Sequence, residues 1–346
     1  MNKSVFFALL AAALFGASTP FAKWLTGDMS PVLLAGLLYL GSGLGLTLIR
    51  LGRDAGFKRP NLPPSEWPWL LGAVLFGGVL GPVALMFGLT STPGASASLL
   101  LNLEAVLTSV MAWLVFKENA DRRIVLGMAA IVAGGVVLAA SGETSTVSAG
   151  LGPWLVAAAC LCWAIDNNLT RKVSASDALF IAALKGLIAG GVNTLLAFSL
   201  GAQLPALVTL LATMLLGLLG YGVSLVLFVL ALRGLGAARA GAYFSTAPFL
   251  GAAVAVLVFG ESVSMTFGVA AALMGLGVWL HLTERHAHHH QHDAQDHTHR
   301  HSHDEHHQHP HDFAWDEKGP HQHPHAHEAV SHSHAHYPDT EHRHRH

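Results

Sequence analysis

Gly94-Ala-Ser-Ala-Ser-Leu-Leu-Leu-Asn-Leu-Glu-Ala-Val-Leu-Thr-Ser-Val-Met-Ala-Trp-Leu-Val-Phe-Lys-Glu118 decides the fold, because its pattern occurs twice. The second copy is Ala237-Ala-Arg-Ala-Gly-Ala-Tyr-Phe-Ser-Thr-Ala-Pro-Phe-Leu-Gly-Ala-Ala-Val-Ala-Val-Leu-Val-Phe-Gly-Glu261. Both open on small residues and close on Leu-Val-Phe-x-Glu, with an ungapped offset of 143. A second match flanks them. Phe15-Gly-Ala-Ser-Thr-Pro-Phe-Ala-Lys23 aligns with Trp163-Ala-Ile-Asp-Asn-Asn-Leu-Thr-Arg171: an aromatic and a small residue, then a polar patch, then a basic residue. One unit is present twice, and such repeats outrank local patterning as fold evidence.

Each copy is built from apolar segments. A bilayer core takes about 20 apolar residues per helical span. Ten segments qualify: 4–22, 31–51, 68–90, 94–116, 123–141, 151–170, 178–200, 207–232, 236–259 and 263–282. Helices are required, since lipid offers no partner to open backbone groups and barrel strands would alternate in polarity. Lys3 followed by an apolar run also fits a cleaved leader, but the repeat needs this helix as its first span. Five spans per copy is an odd number, so the second copy enters from the opposite face. The expected fold is all-α: ten transmembrane helices in two inverted five-helix repeats, 1–142 and 150–282, with a disordered tail at 283–346.

Basic residues set the orientation. With the N-terminus in the cytoplasm, the inner segments hold Lys3, Arg50, Arg53, Lys58, Arg59, Lys117, Arg122, Arg123, Arg171, Lys172, Arg233 and Arg239. The outer loops hold only Lys23. Both termini are therefore expected in the cytoplasm of a multi-pass protein of a bacterial-type inner (plasma) membrane.

Inverted repeats are a transporter design, with the site near the midplane where the copies meet. Shared descent into a scaffold or receptor is the competing reading. The sequence resembles the drug/metabolite transporter superfamily, specifically EamA-type ten-span permeases. The resemblance covers residues 4–282 and rests on the starts of spans 1 and 6, the Glu104 and Ser-Thr-Ala-Pro-Phe blocks of spans 4 and 9, and the Gly-rich spans 5 and 10. It implies alternating-access transport of amino acids, other metabolites or drugs, often outward. Family members often carry a basic residue early in spans 2 and 7. Span 7 has Lys185, whereas span 2 has Tyr39.

No nucleophile elbow, phosphate loop or His-Glu-x-x-His motif appears, so an enzyme is not expected. Nor does anything point to nucleic acid. Polar groups at membrane depth are functional candidates by default. Glu104, with Asn102 close by, sits mid-span. It suits proton coupling or contact with a substrate amine; it also suits a structural carboxyl bonded to a neighbouring helix through Asn102 or a carbonyl. Asp166 and Asn167 lie near one end of span 6, and Lys185 lies at a similar depth in span 7 at about 1.5 Å per residue. An Asp166–Lys185 pair is thus feasible, as a gate, a binding site or a structural bridge. Phe15, Trp163, Tyr221 and Tyr243 are candidate cavity aromatics or simple packing residues. Glu118 and Glu261 suit capping. Cys160 and Cys162 point about 200° apart on a helix and read as small fillers.

All 24 histidines lie at or beyond position 281. Residues 283–346 hold 23 of them with 11 Asp/Glu, too polar a segment to fold alone. They often alternate: His297, His299, His301, His303; His321, His323, His325, His327; His332, His334, His336. Alternate residues of an extended chain share a face, and imidazole suits Zn, Ni, Co and Cu. A metal-binding regulatory tail is the expectation, with pH sensing and a plain solvated tail as the other readings. No cofactor is required. The expected partners are a small-molecule substrate, the bilayer and divalent metal ions, and a homodimer is compatible with such a bundle. Three functional readings follow: a secondary transporter of small organic metabolites, a transition-metal (Zn/Ni/Co) transporter, and a metal-responsive membrane sensor without transport.

Overall fold

The computed structural model describes residues 3–56, 62–116, 122–140, 150–173, 176–231, 243–283, 287–292, 295–301, 321–327 and 330–335. The chain divides into two units, Met1–Glu284 and Arg285–His346. In the first, the helices are α1 Lys3–Leu25, α2 Pro31–Asp54, α3 Pro64–Ser91, α4 Gly94–Leu100, α5 Leu103–Phe116, α6 Arg122–Ala140, α7 Gly152–Arg171, α8 Ala178–Ser199, α9 Leu207–Ala231, α10 Ala247–Leu257 and α11 Met265–Leu282. Seven of the spans expected from sequence are long and apolar enough to cross a bilayer by length and composition alone. α7 and the shorter apolar helices α10 and α11 fall on the other three.

Local chemistry sets several ends. Ser30 precedes Pro31, and its hydroxyl accepts from the Leu33 N–H, giving α2 a capped start with proline at its first position. Asp177 caps α8 through the Leu179 N–H, and Ser264 caps α11 through the Phe267 N–H. Ala55, in the left-handed region at φ 52°, terminates α2.

The fourth span is broken between α4 and α5. There the Asn102 side-chain amide and the Asn102 backbone N–H both donate to the Leu99 carbonyl, at 2.9 and 3.0 Å. In the ninth span the helical residues Tyr243 and Phe244 are separated from α10 by a turn at Ser245–Thr246. Pro248, which lacks an N–H, sits in the first turn of α10, where that lack costs nothing. The two breaks lie 143–144 residues apart, the repeat offset. The same holds for two π-helical segments, Val74–Leu80 in α3 and Leu218–Val223 in α9.

Packing follows the same symmetry. Span 2 packs on span 7 and span 5 on span 10. The contact of span 3 with span 6 is matched by that of span 8 with span 1, and span 4 with span 6 by span 9 with span 1. Exchanging the copies therefore maps these main helix pairings onto one another, as a two-fold repeat requires. Small residues permit the closest crossings: a Cβ on Gly16 of α1 would lie 3.1 Å from the Gly251 nitrogen of α10, and one on Gly186 of α8 only 2.6 Å from the Gly43 Cα of α2. The main core cluster runs through both copies, from Ala22 and Leu34 to Met128, Val156 and Met274. Apolar residues such as Leu195, Val208 and Leu257 are exposed on the outside, as lipid contact demands.

The second unit contains four short strands among its described residues. β1 (Ala287–His292) pairs antiparallel with β4 (Val330–Ala335), and β2 (Gln295–His301) with β3 (His321–His327). Neither two-stranded ladder has an apolar face, and such ladders are marginal in water. The segment therefore keeps the polar, coreless character that its composition implies.

Candidate functional site

α7 carries Trp163, Asp166, Asn167 and Thr170 at spacings of three and four, hence along one side. The sequence-expected ion pair forms: Lys185 of α8 donates to Asp166 Oδ2, and Thr170 Oγ1 donates to Asp166 Oδ1 at 2.9 Å. Both charged side chains are largely enclosed, 7% exposed for Asp166 and 13% for Lys185. Beside them, Asn167 Nδ2 donates to Glu104 Oε1 at 2.8 Å, with Thr108 Oγ1 at 3.5 Å. Glu104 is part-exposed and Asn167 exposed, whereas Asp166 beside them is buried. Among the described residues no basic side chain forms an ion pair with Glu104. Asp166 neutralises Lys185, so the patch carries one carboxylate beyond charge balance when Glu104 is ionised.

The wall next to this patch is aromatic. Phe15 stands edge-on to Trp163 and to Tyr221, with centroids 6.4 and 6.0 Å apart. Tyr39 meets Tyr221 at 5.4 Å, and Phe244 meets Phe15 at 5.5 Å. The Gly77 carbonyl, in the π-helical segment of α3, accepts from the Tyr39 hydroxyl at 2.7 Å and from Trp163 Nε1 at 3.0 Å. A Cβ on Gly77 would lie 2.6 Å from the Asp166 Cβ. Glycine there lets α3 approach the charged face of α7.

Five sequence candidates thus converge: Glu104, Asp166, Asn167, Lys185 and Trp163. Two do not. Asn102 is buried at the helix break, donating to Leu99 O and facing Met274 Sδ of α11 at 3.9 Å. Glu104 is bonded by Asn167 instead. Tyr243 packs with Ala8, Ala231 and Phe228, apart from the charged patch. The sequence reading did not select Tyr39, Gly77 or Thr108 as site residues. The signal for Gly77 was present, since Gly220 stands at the repeat offset and a Cβ there would meet Ser18, the counterpart of Asp166, at 2.6 Å. Of the tail histidines, His303 and His336 lie outside the described residues. Among the described residues no three His, Cys, Asp or Glu side chains gather as a metal site.

Two further polar clusters tie the ends of the bundle. Glu261 accepts from the Gly94 and Ala95 N–H groups, both at 2.8 Å, so the end of span 9 caps the start of span 4. Lys23, at the same end, donates to the Leu89 carbonyl. Glu118, the repeat counterpart of Glu261, lies outside the described residues. At the opposite end, Arg50 and Arg53 of α2 reach Asp177 at 3.2 and 2.7 Å. Partial burial would raise the Asp177 carboxyl, but hydrogen bonds from Arg53 and Arg50 outweigh it and hold the group below the usual carboxylate range.

With this geometry in place, the comparisons decide the family. The model of the EamA-like transporter family matches residues 2–140 and again 150–283. The chain belongs to the EamA-like transporter family. An uncharacterized transporter of Methanothermobacter thermautotrophicus is 27% identical over 288 residues, 79% of this chain and 84% of its own length. A probable amino-acid metabolite efflux pump of Salmonella typhimurium is 30% identical over 176 residues, 50% of this chain and 54% of its own. One solved crystal structure superposes with a TM-score of 0.61 at 21% identity, over 80% of this chain and 94% of that one, a likeness of fold alone. The EamA-type chain is a multi-pass membrane transporter of small molecules and not an enzyme.

Proposed function

We propose that the protein exports a small organic metabolite or drug by alternating access between its two repeats. The observation that carries this reading is Glu104, unpaired by any described cation, held by Asn167 at a helix break and next to an aromatic wall. Broken helices at repeat-equivalent positions mark the binding region of many transporters. A lone carboxylate accepts either a proton or a substrate amine, which couples the two if they compete for it. The Asp166–Lys185 pair adds a fixed dipole and a gate element beside it. Export as the direction draws on the Salmonella relative, whose name is that of an efflux pump. The twelve-to-one basic bias supports cytoplasmic termini in an inner membrane. The tail is read as a metal-binding regulatory segment, with Zn, Ni, Co or Cu as its ions.

The concentration of histidine in the tail favours a second reading, a transition-metal exporter whose tail gathers its cargo. The membrane unit speaks against it, because residues 1–280 contain no histidine and offer a dehydrated cation few ligands. A sensor without transport is the third. Everted vesicles carrying wild-type protein or Glu104→Gln separate these. Energised uptake of an organic substrate that Glu104→Gln loses, at normal membrane expression, is the expected result. Wild-type transport rate and pH profile in that variant would reduce Glu104 to a structural role. Accumulation of Ni2+ or Zn2+ instead would favour the second reading.

A further inference from the structure

Glu261 joins the two copies at the end that the basic-residue bias places outside. Residues 261–264 have no regular structure, and Gly260 before them takes φ 67°, in the left-handed region that glycine adopts freely. The carboxylate therefore hangs on a turn between spans 9 and 10 rather than on a helix. It accepts from the Gly94 and Ala95 N–H groups, both at 2.8 Å. Those amides belong to the first turn of α4, where no intrahelical carbonyl reaches them and Pro93 at the N-cap offers no side-chain bond. Lys23, near the end of span 1, donates to the Leu89 carbonyl and has the Thr90 carbonyl at 3.4 Å, both in the last turn of α3. The two side chains meet at Gly94: a Cβ there would lie 3.0 Å from Glu261 Oε1 and 3.6 Å from Lys23 Cγ. Phe21 stands edge-on to Phe259 with centroids 5.1 Å apart, which ties span 1 to span 9. Spans 1 and 9 are thus fastened to spans 3 and 4 by one carboxylate and one ammonium.

We propose that Glu261 and Lys23 are the outer gate, closed in this structure, and that spans 1 and 9 part from spans 3 and 4 by breaking these contacts when the outer face opens. The inference rests on the alternating-access reading above and names the contacts that one half of the cycle must break. Three features suit them to breaking. Glu261 and Lys23 are both part-exposed, so on parting the carboxylate, the ammonium and their backbone partners exchange bonds with one another for bonds with water, at small net cost. The turn that carries Glu261 moves without unwinding a helix. Beneath the clasp, one turn further along α4, Ser98 is 1% exposed and its hydroxyl has no hydrogen-bond partner. It lies against α10, since a Cβ on Gly251 would come within 2.8 Å of Ser98 Oγ. Closure leaves that hydroxyl unsatisfied, and separation of spans 4 and 9 gives it water. The Arg50 and Arg53 contacts with Asp177 at the other end differ. They join spans 2 and 7, whose backbones cross closely at Gly43 and Gly186.

The test places a single thiol beneath the clasp: Ser98→Cys in the full chain, with Cys160→Ala and Cys162→Ala. Intact cells are treated with the membrane-impermeant reagent MTSET, and the modified fraction is followed in time by gel shift. Glu261→Ala, which loses both bonds to a charged acceptor, should speed modification about tenfold or more. Glu261→Gln should speed it less, since its carbonyl still accepts one bond, and Lys23→Met should also speed it. Asp177→Asn loosens a contact between the copies at the opposite end and should change the rate by less than about twofold, which separates gating from general loosening. No acceleration in Glu261→Ala, or an equal acceleration in Asp177→Asn, would overturn the gate and leave Glu261 a helix cap. Uptake of a 14C-labelled amino-acid mixture into everted vesicles is measured on the same preparations. Acceleration without uptake counts against the export reading and leaves the gate standing; uptake without acceleration counts against the gate alone.

Discussion

Lys185→Met takes the ammonium away from a largely enclosed carboxylate. Asp166 is 7% exposed at its side chain and Lys185 13%, so this is not a surface pair worth a few tenths of a kcal/mol. Removing one partner of an enclosed pair costs about 3–5 kcal/mol, mostly the penalty of the charge left behind. Asp166 keeps the Thr170 hydroxyl at 2.9 Å, which places the expected loss near the lower end, about 3 kcal/mol. That is more than a hundredfold in the folding equilibrium. Adding Asp166→Asn removes the orphaned charge, so the double variant should regain most of the loss. Unfolding by SDS titration in mixed micelles, followed by far-UV circular dichroism, reads both. A Lys185→Met protein as stable as the wild type, or a double variant no better than the single one, would refute the idea that the pair is enclosed and mutually dependent. Transport of the double variant then separates bridge from gate: a bridge predicts a normal rate once stability returns, whereas a gate predicts a changed one.

Asp177→Asn keeps the cap on α8 but loses the Arg50 and Arg53 pairing, and with Arg53 45% exposed the cost should be at most about 1 kcal/mol; Asp177→Ala should add about 1 kcal/mol for the cap. Because the folded carboxyl titrates below its unfolded value, the wild-type advantage should be complete above about pH 4 and fade as pH falls further, so stability curves of wild type and Asp177→Asn should converge in acid. Glu261→Ala strips the carboxylate from the Gly94 and Ala95 N–H groups and should cost about 1–3 kcal/mol in the same SDS titration, with Glu261→Gln losing less because its carbonyl still accepts one bond. Reporter fusions at positions 145 and 290 should read outside and inside respectively; a tail reported outside would contradict the basic-residue orientation.

Spans and repeats were legible because both depend on properties that survive local irregularity: apolar length, and an offset of 143 shared by two long segments. The Asp166–Lys185 pair was legible because two helices with a fixed rise set their depths independently. The partner of Glu104 was not. On an unbroken helix Asn102 and Glu104 lie too close in sequence to share a face, and the break at Leu101–Asn102 then turned the Asn102 amide to the Leu99 carbonyl. The π-helical segments escaped notice for a related reason. They shift the side chains beyond them without altering the apolar character on which span detection relies. The aromatic candidates divided because residue type alone does not say which side of a buried helix faces the charged patch, so Trp163 and Tyr243 read alike and packed apart.

The two copies share a fold but not a chemistry, and the difference falls at the candidate site. Where the first copy has Ser18 and Thr19, the second has Asp166 and Asn167. Where the second has Lys185, the first has Tyr39, whose hydroxyl goes to the Gly77 carbonyl instead of to a charge. Where the first has Glu104, the second has Ala247, at the start of a helix whose small residues press against α1. Every charged member of the patch therefore comes from the neighbourhood of span 6, reached from span 4 on one side and span 7 on the other. The equivalent region around span 1 is filled by glycine and serine contacts and by Phe15. A symmetric scaffold can rock between two mirrored arrangements, but a one-sided charge distribution makes those arrangements unequal for a charged ligand. That inequality is what a transporter needs if occupation of Glu104 by a proton or an amine is to bias which face opens.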